Sequence, residues 1–227
     1  MRILGIIAVC LLAISLSAFL AGTNLRYLVS DLGFYEYGFD KYQVEATTGL
    51  DKAELRKAAQ VLINYFNSGE DVQVRVTLAG EERDLFNERE VAHLRDVKEL
   101  LQLCYRVQEL ALGGVIISVG LALAGGAFWR NLVRGVLGAA AVILATVAIL
   151  GIGVALDFPR LFLQFHLVSF SNELWMLDPA HDYLIRMFPE GFFLDATLLI
   201  IGATAVEAVI LGASAGAYLW LRRGHSR

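Results

Sequence analysis

The sequence predicts a mainly α membrane protein: a four-span transmembrane helical bundle with a small α+β extracytoplasmic subdomain and an interfacial aromatic loop. Three observations lead there. The 227 residues are 57% hydrophobic with a mean hydropathy of +0.58, the composition of a polytopic membrane protein and not of a soluble domain. Four apolar runs, roughly Ile3–Gly22, Val107–Phe128, Val136–Leu156 and Ala196–Leu221, match the about 20 residues a helix needs to cross about 30 Å of hydrocarbon. The intervening stretches, 23–106 and 157–195, are too polar to lie in lipid. The expected organisation is therefore span one over 1–22, an outer subdomain over 23–106, spans two and three over 107–156, an outer loop over 157–195, and span four with its tail over 196–227.

Charge sets the expected orientation. Arg2, Arg130 and Arg134, and Arg222, Arg223 and Arg227 all fall on one side of a four-span chain, and short basic segments stay cytoplasmic. Both termini are then inside, and the two polar stretches face outward. Residues 23–106 hold 15 acidic and 11 basic residues and residues 157–195 hold six and two, so each outer segment is net negative by four. The whole chain is also at -4 with scattered basic residues, which gives no basic face for nucleic acid. Cys10 and Cys104 fall at different depths and form no disulfide framework. Arg2 ahead of an apolar run, with Ser15 and Ser17 near its end, also satisfies a cleavable signal peptide. Three further spans make an uncleaved anchor the simpler reading.

After span one, NLRYLVSDLGFYEYGFD crowds Tyr35, Tyr37 and Phe39 without evident helical period, as expected of a chain lying along a lipid surface or walling a pocket. DKAELRKAAQVLINYFN places Leu55, Ala58, Ala59, Leu62 and Phe66 on one helical face, with Asp51 as N-cap and Glu54 at the capping-box position. VQVRVTL alternates with period two and predicts a strand, turned at Ala79 and Gly80 and paired with 81–86. Asn87 and Glu90 open a further helix with no breaker before span two, so 88–128 is expected as one rod. Spans two and three are rich in Gly and Ala, which lets helices approach closely in lipid. Glu207 lies near the centre of span four, where a carboxyl must be protonated or paired; it is read either as a proton or head-group contact or as a carboxyl bonded to a neighbouring helix.

The candidate chemistry lies in two places. The segment 157–195 holds nine Phe, Trp or Tyr residues around His166, and histidine is the natural proton carrier near neutral pH. On the rod, Glu90, His93 and Asp96 are three residues apart and share one side. That pattern also fits a solvated face on which two carboxylates raise the histidine's proton affinity. No H-E-x-x-H, G-x-S-x-G, Walker loop or C-x-x-C is present, and no cofactor is expected. A metal site from His93, His166 and His181 with Asp178 or Asp182 has no supporting i,i+4 histidine pair. One embedded carboxylate, in spans without proline, gives little support to a channel or transporter. Two outward histidines at head-group level suit acyl transfer, one imidazole taking a proton and the other returning one.

YEYGF (Tyr35–Phe39), FNEREVAHLRDVK (Phe86–Lys98), FHLVSFSNELWMLDP (Phe165–Pro179) and DYLIRMFPEGFFLD (Asp182–Asp195), in this order on four spans, resemble the bacterial lipoprotein intramolecular transacylase (Lit) family across almost the whole chain. The resemblance implies an enzyme of the bacterial cytoplasmic membrane with its active site on the outer face. Such an enzyme moves the sn-2 acyl chain of a diacylglyceryl-modified lipoprotein cysteine onto that cysteine's own amino group. Its paired histidines fall on His93 and His166, either of which would serve as base; Asp96, Asn172, Trp175 and Asp178 match the surrounding motif and would position or polarise. Tyr37 and Arg186 are added as candidate substrate contacts, with Asn172, Arg186 or a backbone amide as oxyanion donor; His181 has no counterpart. The implied partners are diacylglyceryl lipoproteins and membrane lipid. A non-catalytic membrane scaffold and a metal-dependent membrane hydrolase are the rival readings.

Overall fold

A computed structural model describes residues 2–69, 71–78, 80–124 and 127–224. The order of elements is α1 (Arg2–Ser30), α2 (Leu32–Lys41), α3 (Val44–Thr48), α4 (Lys52–Asn67), β1 (Arg75–Leu78), β2 (Glu81–Asp84), α5 (Glu88–Ala124), α6 (Phe128–Ser169), α7 (Tyr183–Met187) and α8 (Glu190–Gly224). Four helices are long and apolar enough to cross a membrane: α1, α5, α6 and α8. Large apolar side chains along them stand open, Leu110 at 77% and Ile149 at 71% among them. Exposure on that scale is costly in water and not in hydrocarbon. Ala79 and the side chains of Arg2, Arg223 and Arg227, which entered the turn and orientation expectations, lie outside the described residues.

The chain divides into two compact units. The first comprises Met1–Arg26, Cys104–Ala155 and Leu198–Arg227 and packs through small residues. A Cβ on Gly135 would stand 2.6 Å from Leu12, and Ala140 and Ala208 are buried with Ile143. Its polar groups pair between helices: Asn24 on α1 donates to both Thr204 Oγ1 and Glu207 Oε2 on α8, each at 3.0 Å. Glu207 thus takes the second of its two expected roles, a carboxyl bonded to a neighbouring helix.

The second unit comprises Tyr27–Leu103 and Leu156–Thr197 and has a core of the usual globular kind, with Val44, Leu50, Leu62, Val76 and Met187 all at 1% exposure or less. The predicted α4 forms as expected. Asp51 accepts from the Glu54 N–H at 2.8 Å, and Leu55, Ala58, Ala59, Leu62 and Phe66 are buried. β1 and β2 pair antiparallel, Val76 opposite Arg83, with Gly80 at φ +85 in the turn, where glycine has no steric cost.

Two predicted irregular stretches are helical. Residues 32–41 form α2, capped by Asp31 accepting from Gly33 N–H at 3.0 Å. The buried Phe34, Tyr35, Gly38 and Phe39 sit at i, i+1, i+4 and i+5, a helical stripe that the exposed Tyr37 disguises in the sequence. The expected aromatic loop over 157–195 is also largely ordered. α6 continues to Ser169, α7 covers Tyr183–Met187, and α8 begins at Glu190, six residues before the predicted start of span four.

Candidate active site

α5 positions His93. Asn87 and Glu90 cap its first turn reciprocally: Asn87 N–H donates to Glu90 Oε2 at 2.8 Å, and Glu90 N–H donates to Asn87 Oδ1 at 3.0 Å. The other carboxylate oxygen, Oε1, accepts from Leu184 N–H at 2.6 Å, so Glu90, 1% exposed, fastens α7 to α5. Burial raises its pKa, and the backbone N–H groups of Leu184 and Asn87 pull it partly back. Glu90 is a structural carboxyl, not a proton partner for His93.

α6 positions His166. Helical geometry breaks at Asp157 (φ -164, ψ 82), and Asp157 Oδ1 accepts from Arg160 N–H at 3.0 Å. Asp157 therefore serves as N-cap for a fresh helical segment, with Pro159 in its first turn, where a missing N–H costs nothing. That segment carries Phe158, Phe162, Phe165 and His166 at spacings of four, three and one.

The two imidazoles are neighbours, with ring centroids 6.4 Å apart and planes at 32°. Their environments differ. His93 is 7% exposed, its Nδ1 has no hydrogen-bond partner among the described residues, and the Phe170 ring stands against it at 5.2 Å. His93 sits in the charged first half of α5, ahead of the apolar run that begins at Val107. Burial first, and the His166 ring second, push its pKa down to about 4 against a weaker upward pull from Asp96. The solvated-face expectation is thereby overturned: desolvation outweighs the carboxylates, and Glu90 faces backbone amides instead.

His166 is half-buried and surrounded by four aromatic rings: Phe162 at 4.4 Å, Trp175 at 4.9 Å, Phe165 at 5.4 Å and Phe170 at 5.7 Å. Its Nδ1 lies 2.8 Å from the Phe162 carbonyl oxygen. A carbonyl only accepts, so Nδ1 carries the hydrogen and donates it, and the neutral ring keeps its lone pair on Nε2.

The turn after α6 is clipped to α5 on both sides of His93. Arg89 donates to the Glu173 carbonyl at 2.8 Å, and Asn172 Nδ2 donates to Asp96 Oδ2 at 2.9 Å while its Oδ1 accepts from Leu174 N–H at 3.0 Å. These bonds set Trp175 against His166. Of the sequence candidates, His93, His166, Trp175, Asp96 and Asn172 thus form one connected group. Asp178 lies elsewhere, in an exposed turn, accepting from Ala180 N–H at 2.9 Å and paired with His181 at 2.7 Å. The Ala180 amide first, then His181, lower its pKa.

Arg186 donates to the carbonyls of Asp182 (3.1 Å) and Thr47 (3.4 Å) and covers the Tyr183 ring. Tyr37 is 51% exposed beside Lys41. None of these contacts of Asp178, Arg186 or Tyr37 includes either imidazole. Sequence reasoning missed Arg89, Phe162 and Phe170. The i,i+4 spacing of Phe162, His166 and Phe170 was the available signal, obscured by reading 157–195 as a loop. Among the described residues, no three His, Cys, Asp or Glu side chains converge as metal ligands.

The arrangement, a dry neutral imidazole beside one with a fixed tautomer, suits proton transfer to and from a bound reactant. Comparison with curated proteins returned no match. Three solved structures share the fold. The membrane integral lipoprotein intramolecular transacylase Lit from Bacillus cereus superposes with TM-score 0.79 at 20% identity, over 99% of this chain and 97% of that one. Two variants of that enzyme, with a histidine replaced by arginine or by alanine, superpose with TM-score 0.75 at 22% and 21% identity. They cover 98% and 96% of this chain and 95% of theirs. The family profile described as lipoprotein intramolecular transacylase Lit matches residues 9–193, which include both histidines, and the chain belongs to that family of membrane acyl-transferring enzymes.

Proposed function

We propose that this enzyme moves the sn-2 acyl chain of a diacylglyceryl-modified N-terminal cysteine onto the same cysteine's α-amino group, leaving a lyso-form lipoprotein. The substrate enters sideways from the outer leaflet of a bacterial cytoplasmic membrane, and His93 and His166 work on the outer face. The basic residues Arg130, Arg134 and Arg222 favour that orientation. The observation that carries the reading is the imidazole pair itself, two rings 6.4 Å apart contributed by the successive helices α5 and α6.

The environments divide the labour. His166 Nε2 takes a proton from the neutral α-amine as its nitrogen attacks the sn-2 ester carbonyl. The tetrahedral intermediate collapses by breaking the bond from the acyl carbon to the glycerol oxygen, and imidazolium His166 returns the proton to that oxygen. No proton is gained or lost overall. His93, kept neutral by burial, donates one N–H to the developing oxyanion, as a neutral imidazole does when its site excludes charge. Asp96, Asn172 and Arg89 hold the turn bearing Trp175. Because both reactants belong to one molecule, near-attack positioning supplies much of the acceleration, about 7–11 kcal/mol in favourable cases.

The test is expression of His93→Ala and His166→Ala beside the parent, with lipoprotein N-termini read by mass spectrometry. Loss of lyso-form product in both is expected, the larger loss in His166→Ala; unchanged product in both removes the pair from the reaction.

A further inference from the structure

We propose that Trp175 acts as a cation–π positioning residue, stabilising the imidazolium that His166 becomes while it holds the substrate's proton; this rests on His166 being the base. The need is electrostatic. Among the described residues no carboxylate lies within ion-pair distance of His166. The titratable group facing it from α5 is His93, another imidazole, and Asp96 beyond is bonded to Asn172. A charge formed on His166 therefore meets aromatic rings instead of an anion. Trp175 is 4.9 Å away with planes at 37°, and Phe170 is 5.7 Å away at 44°, both within the about 6 Å over which a ring's negative face attracts a cation, with tryptophan the strongest donor of that kind.

The contact discriminates between states. A neutral imidazole gains little from a quadrupole, whereas an imidazolium gains more, so the interaction grows toward the transition state and raises kcat instead of merely tightening binding. The Trp175 ring is held by bonds within the protein. The 172–175 turn is tied to α5 through Asn172 to Asp96 and Arg89 to Glu173.

The experiment is site-specific replacement of Trp175 by 5-fluoro-, 5,7-difluoro- and 4,5,6,7-tetrafluorotryptophan. This series weakens the ring face stepwise at nearly constant shape. Acyl transfer is followed on a diacylglyceryl lipopeptide in lipid nanodiscs. The expected result is a stepwise fall in kcat, reaching about 3–10-fold at four fluorines, with KM unchanged. Trp175→Phe should retain more activity than Trp175→Leu. A kcat indifferent to fluorination, with loss only in Trp175→Leu, overturns the inference and leaves Trp175 as packing. His166→Ala separates the two proposals: persistent transfer there refutes the base assignment, whereas an inactive His166→Ala with a flat fluorine series refutes only the role of Trp175.

Discussion

Acidification should destabilise this protein through His93 in particular. A histidine whose folded pKa is depressed binds fewer protons folded than unfolded between the two values. Its contribution to stability is therefore fully present above the unfolded pKa and is lost as pH falls toward the folded one. For His93 the window runs from the ordinary 6.5 down to about 4. At 1.36 kcal/mol per pH unit, that interval corresponds to about 3 kcal/mol. For a chain of this size the loss lowers Tm by about 6–12 °C. The assay compares thermal unfolding of the parent and His93→Gln in the same nanodiscs at pH 7.5 and pH 4. Glutamine preserves polarity and cannot take up a proton in this range. Carboxylates and the other histidines contribute an acid slope common to both proteins, so the difference between slopes isolates residue 93. The parent should lose about 3 kcal/mol more than the variant between the two pH values. Equal slopes would show that His93 is hydrated or paired with an anion, and the dry-imidazole account would fail with it.

Two further substitutions probe the frame around the pair. Glu90→Ala leaves the buried Leu184 N–H without its acceptor, at about 1–3 kcal/mol, and removes the half-buried cap bond from Asn87 N–H as well. Glu90→Gln keeps one acceptor oxygen and should lose about half as much by thermal unfolding; equal stability of the alanine variant would refute the tie between α5 and α7. Gly38→Ala places a methyl 2.4 Å from Phe192, whose ring is fixed between Phe34 at 4.7 Å and Phe188 at 5.1 Å. Overpacking of about 1–3 kcal/mol exceeds the about 1 kcal/mol gained in helix propensity, so Tm should fall, and a rise would contradict the close approach of α2 and α8.

The elements that announced themselves in the sequence have local causes. α4 was legible from Asp51, Glu54 and its apolar stripe, and the start of α5 from Asn87 and Glu90, because capping and amphipathic period are encoded within a few residues. The hairpin was legible from period-two alternation and Gly80. α2 was not, since Tyr37 sits exposed in mid-helix and breaks the pattern, and only contact with Phe188 and Phe192 shows which of its aromatics turn inward. The helical segment after Asp157 was hidden by a proline that reads as a breaker but stands in a first turn. In the site, the histidines were legible as residue types, and their partnership came from the family resemblance. The low proton affinity of His93 was not legible: E-x-x-H-x-x-D implies the opposite until the structure shows Glu90 turned to backbone amides.

The depressed pKa and the short separation have a joint consequence for how many protons the pair can hold. His93 is opposed by burial first and by the His166 ring second, so it stays neutral near neutral pH and the two rings share no more than one proton. A dyad holding two protons would have no base for the amine, and one prevented from holding any could not return a proton to the glycerol oxygen. One proton, carried on the ring whose Nδ1 is anchored to the Phe162 carbonyl and which stands beside Trp175 and Phe170, satisfies both requirements. The proposed division of roles therefore follows from an asymmetry of environment between two chemically identical side chains. Reversing it would require hydrating His93 or giving it an anion, and the packing of Phe170 against its ring allows little room for either.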